Sequence, residues 1–159
     1  MADSAARSGD AGAIRKTALV PFAAESMFSL IEHAEHYPAF LPWCSDATIL
    51  FRDDALVEAQ IGVDYRGLRF SFTTRNAKRP PEWMAIRLVR GPFRRFEGEW
   101  QLVPLSPSAC KIAFTLRFEF AGAIAAIARP VFGRIADQWV DAFVVRAEQT
   151  LGGQPDRGD

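Results

Sequence analysis

Apolar and polar positions along this chain change their period twice, dividing it into a short mixed start, a long strand-rich middle and a helical end. Ile14 to Pro21 reads as a first strand. Pro21 and Glu25 then suit a helix start, with Phe22, Met27, Phe28, Leu30 and Ile31 on its buried face. A further helical turn or two around Ala34 to Phe40 is bracketed by Pro38 and Pro42. From Cys44 onward the period is two. Ile49 and Phe51 alternate with polar or wetter neighbours, as do Val57, Ala59, Ile61 and Val63, then Phe70 and Phe72, then Met84, Ile86 and Leu88. The same alternation continues through Phe96, Trp100 and Leu102 and through Ile112, Phe114, Leu116, Phe118 and Phe120. Strict alternation predicts antiparallel strands with one apolar face. Asp53-Asp54, Arg79-Pro80-Pro81, Gly91-Pro92 and Pro104 to Ser108 supply the turns between them.

After Gly122 the period becomes helical and stays so to Leu151. Val131, Ile135, Trp139, Ala142 and Arg146 share one stripe, and Phe132, Ala136, Val140, Phe143 and Ala147 a neighbouring one. The apolar surface is therefore wide enough to be embraced by a concave sheet. Pro130 predicts a kink or a true helix start there, with Ala121 to Arg129 as a separate turn or gating segment. The predicted architecture is α+β: a curved antiparallel sheet of about seven strands around a long C-terminal helix, with two short helices after the first strand. One folded domain is expected over residues 14–152, with flexible tails at 1–13 and 153–159.

Composition sharpens this reading at three points. Thirteen Phe against two Tyr is more aromatic surface than a small core requires, and suits the lining of a cavity. Two cysteines, Cys44 and Cys110, are too few for a disulfide framework and read as reduced thiols. No run of about 18 apolar residues is present and the first residues lack a hydrophobic signal core, so a cytoplasmic protein, at most peripheral to the inner membrane, is expected.

Several blocks carry a family resemblance. TALVPFAAESMFSLIEHAEHYPAFLPWC, FTTRN, LVRGPFRRFEGEW, CKIAFTLRFEF and VFGRIADQWVDAFVVRAEQ follow in order with similar spacing. Together they resemble the coenzyme Q-binding and ribosome-association toxin (RatA) family, within the START-like polyketide cyclase/lipid transport superfamily. The resemblance implies a helix-grip fold that binds ubiquinone or another polyprenyl lipid, with no catalytic residues and no cofactor chemistry. Mitochondrial members of that family support quinone function in respiration, and some bacterial members block association of ribosomal subunits. The chain departs from the pattern at Trp43, where some relatives carry a smaller residue such as Gly.

Three sets of residues are candidates for function. The first is the concave lining: Phe70, Phe72, Ile86, Leu88, Phe96, Trp100, Phe114, Leu116, Phe118 and Phe120 from the sheet, facing Val131, Ile135, Trp139 and Phe143 from the helix. Such a surface suits an apolar ligand, each buried CH₂ contributing about 0.8 kcal/mol, and a filled core is its plain alternative. Arg90 has inward parity, which would let it bond a ligand carbonyl or close the pocket end. The second is a stiff segment around Tyr37, Phe40, Leu41 and Trp43, read as a gate or membrane-dipping loop, or as a cover over one end of the core. The third is a charge asymmetry. The chain is neutral overall, with 19 cations and 19 anions, yet Arg66 to Arg95 holds Arg69, Arg75, Lys78, Arg79, Arg87, Arg94 and Arg95 against Glu82 alone. An outward basic patch suits anionic lipid headgroups or the phosphates of the large ribosomal subunit, whereas pairing with Glu97 and Glu99 would neutralise it. His33, His36 and Cys44 lack a fourth ligand and a proper spacing, so no metal site is expected. No general acid/base pair is placed by any motif, and a cyclase-type enzyme on the same superfold ranks below both binding functions.

Overall fold

The computed structural model describes residues 12–152. Seven strands are joined in one antiparallel sheet: β1 (Gly12–Val20), β2 (Cys44–Arg52), β3 (Leu56–Tyr65), β4 (Leu68–Arg79), β5 (Trp83–Arg90), β6 (Phe93–Ser106) and β7 (Ala109–Phe120). Their order is β1-β7-β6-β5-β4-β3-β2. Strands β2 to β7 form a meander. The chain between β1 and β2 crosses from one sheet edge to the other through α1 (Ala24–Glu32) and a 3₁₀ turn (Ala34–Ala39). β1 takes in Gly12 and Ala13, which the hydropathy pattern assigns to the tail. Gly12 pairs with Phe118, and a Cβ there would come 2.3 Å from the ring, so only glycine fits this end of the strand. The rest of the two predicted tails lies outside the described residues.

Register shifts at Cys44/Asp46, Ile49/Phe51, Thr73/Thr74, Phe93/Arg95 and Pro104/Ser106 mark bulges or irregular pairing, which bend and twist the sheet. Its concave face holds the C-terminal helix, built from α2 (Ala125–Asp137) and α3 (Trp139–Thr150) with Gln138 at the joint. The helix does not start at Pro130. Pro130 lies inside α2, six residues into the helix, where the helix runs through without interruption. Gln138 leaves helical geometry (φ −97°, ψ 1°), yet its carbonyl still accepts from Ala142 N at 3.1 Å, so the two halves stay coupled.

Sheet and helix bury one continuous core, but its two ends differ. Around Phe132 of α2, the rings of Phe70, Phe93, Phe96, Phe118 and Phe120 close in with centroids 5.0–6.3 Å away. That end is solid aromatic packing. Around Trp139, at the start of α3, the rings are tryptophans and the packing leaves space.

Candidate functional site

The space lies between the sheet, the 3₁₀ turn and Trp139. Trp100 and Phe114 lie 4.4 Å apart on adjoining strands, Phe114 lies 5.6 Å from Trp139, and Trp43 leans on Trp139 at 5.1 Å. Phe72, Ile86, Phe96 and Leu116 complete the sheet wall, and Ala34 and Tyr37 close the turn side. The cavity volume is about 30 Å³, room for roughly one or two waters. Two polar residues of β4, Thr74 and Asn76, enter this otherwise apolar lining. Asn76 Oδ1 and Trp139 Nε1 are both buried without a hydrogen-bond partner. Burying such groups unpaired costs on the order of 1–3 kcal/mol each, so a sequence keeps two of them in one cavity at a real cost to its stability.

A further polar group of the lining is committed. Tyr37 donates its hydroxyl to the Ile31 carbonyl, tying the 3₁₀ turn to the end of α1, and burial pushes its phenol far above the usual range. Next to Trp43, the Cys44 thiol is pushed up to about 12, first by burial and then by the Asp46 charge, while its weak bond to the Asp46 carbonyl pulls the other way. Cys110 is raised as well, chiefly by burial. Both cysteines are free, and neither is poised as a nucleophile.

The structure sorts the predicted lining into four groups. Phe72, Ile86, Phe96, Trp100, Phe114, Leu116 and Trp139 border the cavity. Phe70 and Phe118 belong to the solid cluster around Phe132, while Leu88, Val131 and Ile135 pack in or against the core without bordering the cavity. Phe143 stacks edge-on against Trp100 and Tyr37 and so supports the wall from behind. Arg90 is exposed, against the expectation of inward parity. The bulge opposite Thr73/Thr74 absorbs Val89, so Arg90 pairs with Thr73, whose parity is opposite to that of Phe72 and Thr74.

The segment around Tyr37 turns its aromatic side chains toward the core and leaves Pro38, Ala39 and Pro42 exposed. Tyr37, Leu41 and Trp43 are buried, and Phe40 sits half-buried between Phe143 and the Arg146 guanidinium. Thr74 and Asn76 escaped the sequence reading, as did Ala59, Ile61 and Met84. The signal for the first two was available: in FTTRN the inward parity of Phe70 and Phe72 continues onto Thr74 and Asn76, and a polar residue at a core position calls for a reason.

The basic patch is largely neutralised. Arg69 bonds Asp64, Arg75 bonds Glu58, Arg94 bonds Glu119 and Arg95 bonds Glu97, at 3.1–3.2 Å. Arg79 covers the Trp83 ring at 4.8 Å. Lys78 is not on the outer face at all. It shares the parity of Asn76 and reaches Glu32 of α1 at 2.7 Å with its side chain 5% exposed, pinning the helix to the sheet. Arg52 and Glu35 make a second such tie beside it, at 2.7 Å. Burial alone would raise Glu35, but the Arg52 bond and charge, with a backbone bond and His33, hold it below its ordinary value. What stays open on the convex face is a different triad. Arg15, Arg87 and Arg117 border a groove of about 480 Å³ together with Glu97 and Glu99, and among the described residues none of the three arginines makes an ion pair. Arg15 and Arg117 lie outside the predicted patch because they come from β1 and β7, which only the fold brings beside β5 and β6.

No helix of the described residues is long and apolar enough to cross a membrane. A sheet curled around a helix recurs among solved structures. The Zhui aromatase/cyclase from a Streptomyces species superposes with a TM-score of 0.76 at 17% identity, over 90% of this chain and 98% of that one. At that identity the likeness shows the fold. Sequence relatives go further. A ribosome association toxin RatA of Pseudomonas aeruginosa is 39% identical over 140 residues, 87% of this chain and 97% of the relative. A mitochondrial coenzyme Q-binding protein of Drosophila melanogaster is 24% identical over 86% of this chain and 59% of its own length. Residues 20–144, from the end of β1 into α3, match the family model for polyketide cyclase/dehydrase and lipid transport proteins, and with the RatA likeness spanning almost the whole fold the chain belongs to that START-like family, in its RatA branch.

Proposed function

We propose that this chain is a non-enzymatic binding protein for a ring-bearing hydrophobic lipid, a polyprenyl quinone such as ubiquinone, and that it supports respiratory electron transport from the cytoplasmic side of the inner membrane. One observation carries the reading: the aromatic cavity beneath the helix contains two unpartnered polar atoms in an otherwise apolar wall. Ligand sites of this kind pair a large apolar lining with a few polar groups that orient the ligand. The Drosophila relative's name supports the same ligand class.

A quinone ring with its isoprenoid tail needs far more room than about 30 Å³, so binding parts the walls. Trp139 stands directly after the Gln138 joint, and a small rotation of α2 against α3 there moves it away from Trp43 and Phe114. The measurement is a titration with a decyl-tailed benzoquinone followed by tryptophan quenching. Saturable quenching, abolished in Leu116→Arg, is the expected result. Quenching that is linear in quinone, or unchanged in the variant, would remove this reading.

A second reading has its own observation. In the groove on the opposite face of the sheet three arginines, Arg15, Arg87 and Arg117, outnumber two carboxylates, Glu97 and Glu99, an excess that favours RNA phosphates, and relatives at 39% identity are named as ribosome association toxins. Charge reversal of all three arginines should then abolish co-sedimentation with the large ribosomal subunit. Binding that persists in the triple variant would exclude this groove as the contact. The two readings use opposite faces of the same sheet and do not exclude each other.

A further inference from the structure

The two orphan atoms differ in kind. An indole N–H only donates, so Trp139 Nε1 asks for an acceptor. Asn76 Oδ1 only accepts, so it asks for a donor. Tyr37, the remaining hydroxyl on the turn side, is already spent on the Ile31 carbonyl. A hydroxyl is a group that answers both demands, since its oxygen accepts while its hydrogen donates. A quinone carbonyl answers only one. It can accept from Trp139, but it leaves Asn76 Oδ1 desolvated and unpaired.

Resting on the quinone reading above, we propose that Asn76 and Trp139 form a head-group clamp that selects the reduced, hydroxyl-bearing ring, so the chain holds hydroquinone more tightly than quinone. Asn76 is fixed by the sheet, and Trp139 stands on the wall that parts on binding. Asn76 sits in the middle of the ladder, paired with Val57 on one side and Ile86 on the other. Trp139, 6% exposed, is wedged between Trp43 and Phe114. In the bound state the ring hydroxyl lies between the two groups. Selectivity then comes from the group left unpaired by the wrong redox form, a more discriminating device than apolar contact, which both forms share.

The test is anaerobic calorimetric titration of the full chain with the decyl-tailed benzoquinone and, separately, with the same compound reduced to its hydroquinone. The expected result is about tenfold tighter binding of the hydroquinone, which raises the potential of the bound two-electron couple by about 30 mV. Asn76→Leu should level the two affinities, and Trp139→Phe should weaken both by a similar factor, with circular dichroism confirming the fold of each variant. Equal affinities in the wild-type chain, or tighter binding of the quinone, would overturn the clamp while leaving the quinone reading standing; equality is what the Asn76 amide would give if it presented its NH₂ group instead. Binding of neither form would overturn both.

Discussion

The two ends of the interior are made of the same kind of residue and behave differently. Around Phe132, five more phenylalanines close in, four of them edge to face with its ring. Around Trp139, tryptophans, a tyrosine and small residues such as Ala34 and Ala59 leave a gap, and β4 contributes Thr74 and Asn76 to it. Aromatic content therefore does not distinguish a core from a site. What distinguishes them is shape mismatch plus unsatisfied polarity: the Phe132 end is organised for stability, and the Trp139 end gives up stability to keep two hydrogen-bonding atoms available.

The contrast is broken most forcefully at Phe132. Phe132→Ala removes a fully buried ring from the solid end and should cost about 3–5 kcal/mol in chemical denaturation. A loss below about 1 kcal/mol would mean that this end is as loosely packed as the other. Asn76→Leu is the counterpart at the hollow end. Replacing an orphaned amide by an apolar group of similar size should leave stability within about 1 kcal/mol of the wild type or raise it, while ligand selectivity disappears. A loss as large as that of Phe132→Ala would show that Asn76 is structural.

The smallest effect concerns chemistry without stability. With its thiol pushed up to about 12, Cys44 holds almost no thiolate at pH 8, and its alkylation by iodoacetamide should run about a hundredfold or more slower than in the urea-unfolded chain. The sign follows from the direction of the shift: the folded state favours the neutral thiol, and protection fades only as the pH climbs toward 12. Rapid labelling of folded protein at pH 8 would place Cys44 at an open cavity mouth, not under Trp43.

Much of the architecture was legible because periodicity reports burial directly. The switch from alternation at Phe118 and Phe120 to the helical stripe through Phe132 and Trp139 locates sheet and helix without any tertiary information. Legibility failed where a local irregularity or a long-range neighbour decides. Parity carried Arg90 inward because a bulge at Val89 leaves no mark in the pattern. Pro130 suggested a kink or a helix start, yet the helix begins at Ala125 and carries Pro130 inside it, and a joint falls at Gln138, which has no helix-breaking chemistry. The basic patch looked continuous because its acids come from elsewhere: Glu58, Asp64 and Glu119 lie on neighbouring strands, and Glu32 on α1. One cross-strand row, Arg117, Glu97, Arg87, Arg75 and Glu58, spans five strands and exists only in the folded sheet. The cavity was the hardest part to read, since the same phenylalanines line a site or fill a core according to gaps of a few ångströms.

The central claim is that the hollow end holds a ring-bearing lipid. It is tested most directly by mass spectrometry of an organic extract from purified protein, set against a mock purification from cells lacking the chain. The expected result is an isoprenoid quinone at near-stoichiometric amount, lost in Leu116→Arg and retained when the convex-face arginines are reversed. An extract no richer in quinone than the mock would contradict it, and would move the function to the outer face of the sheet.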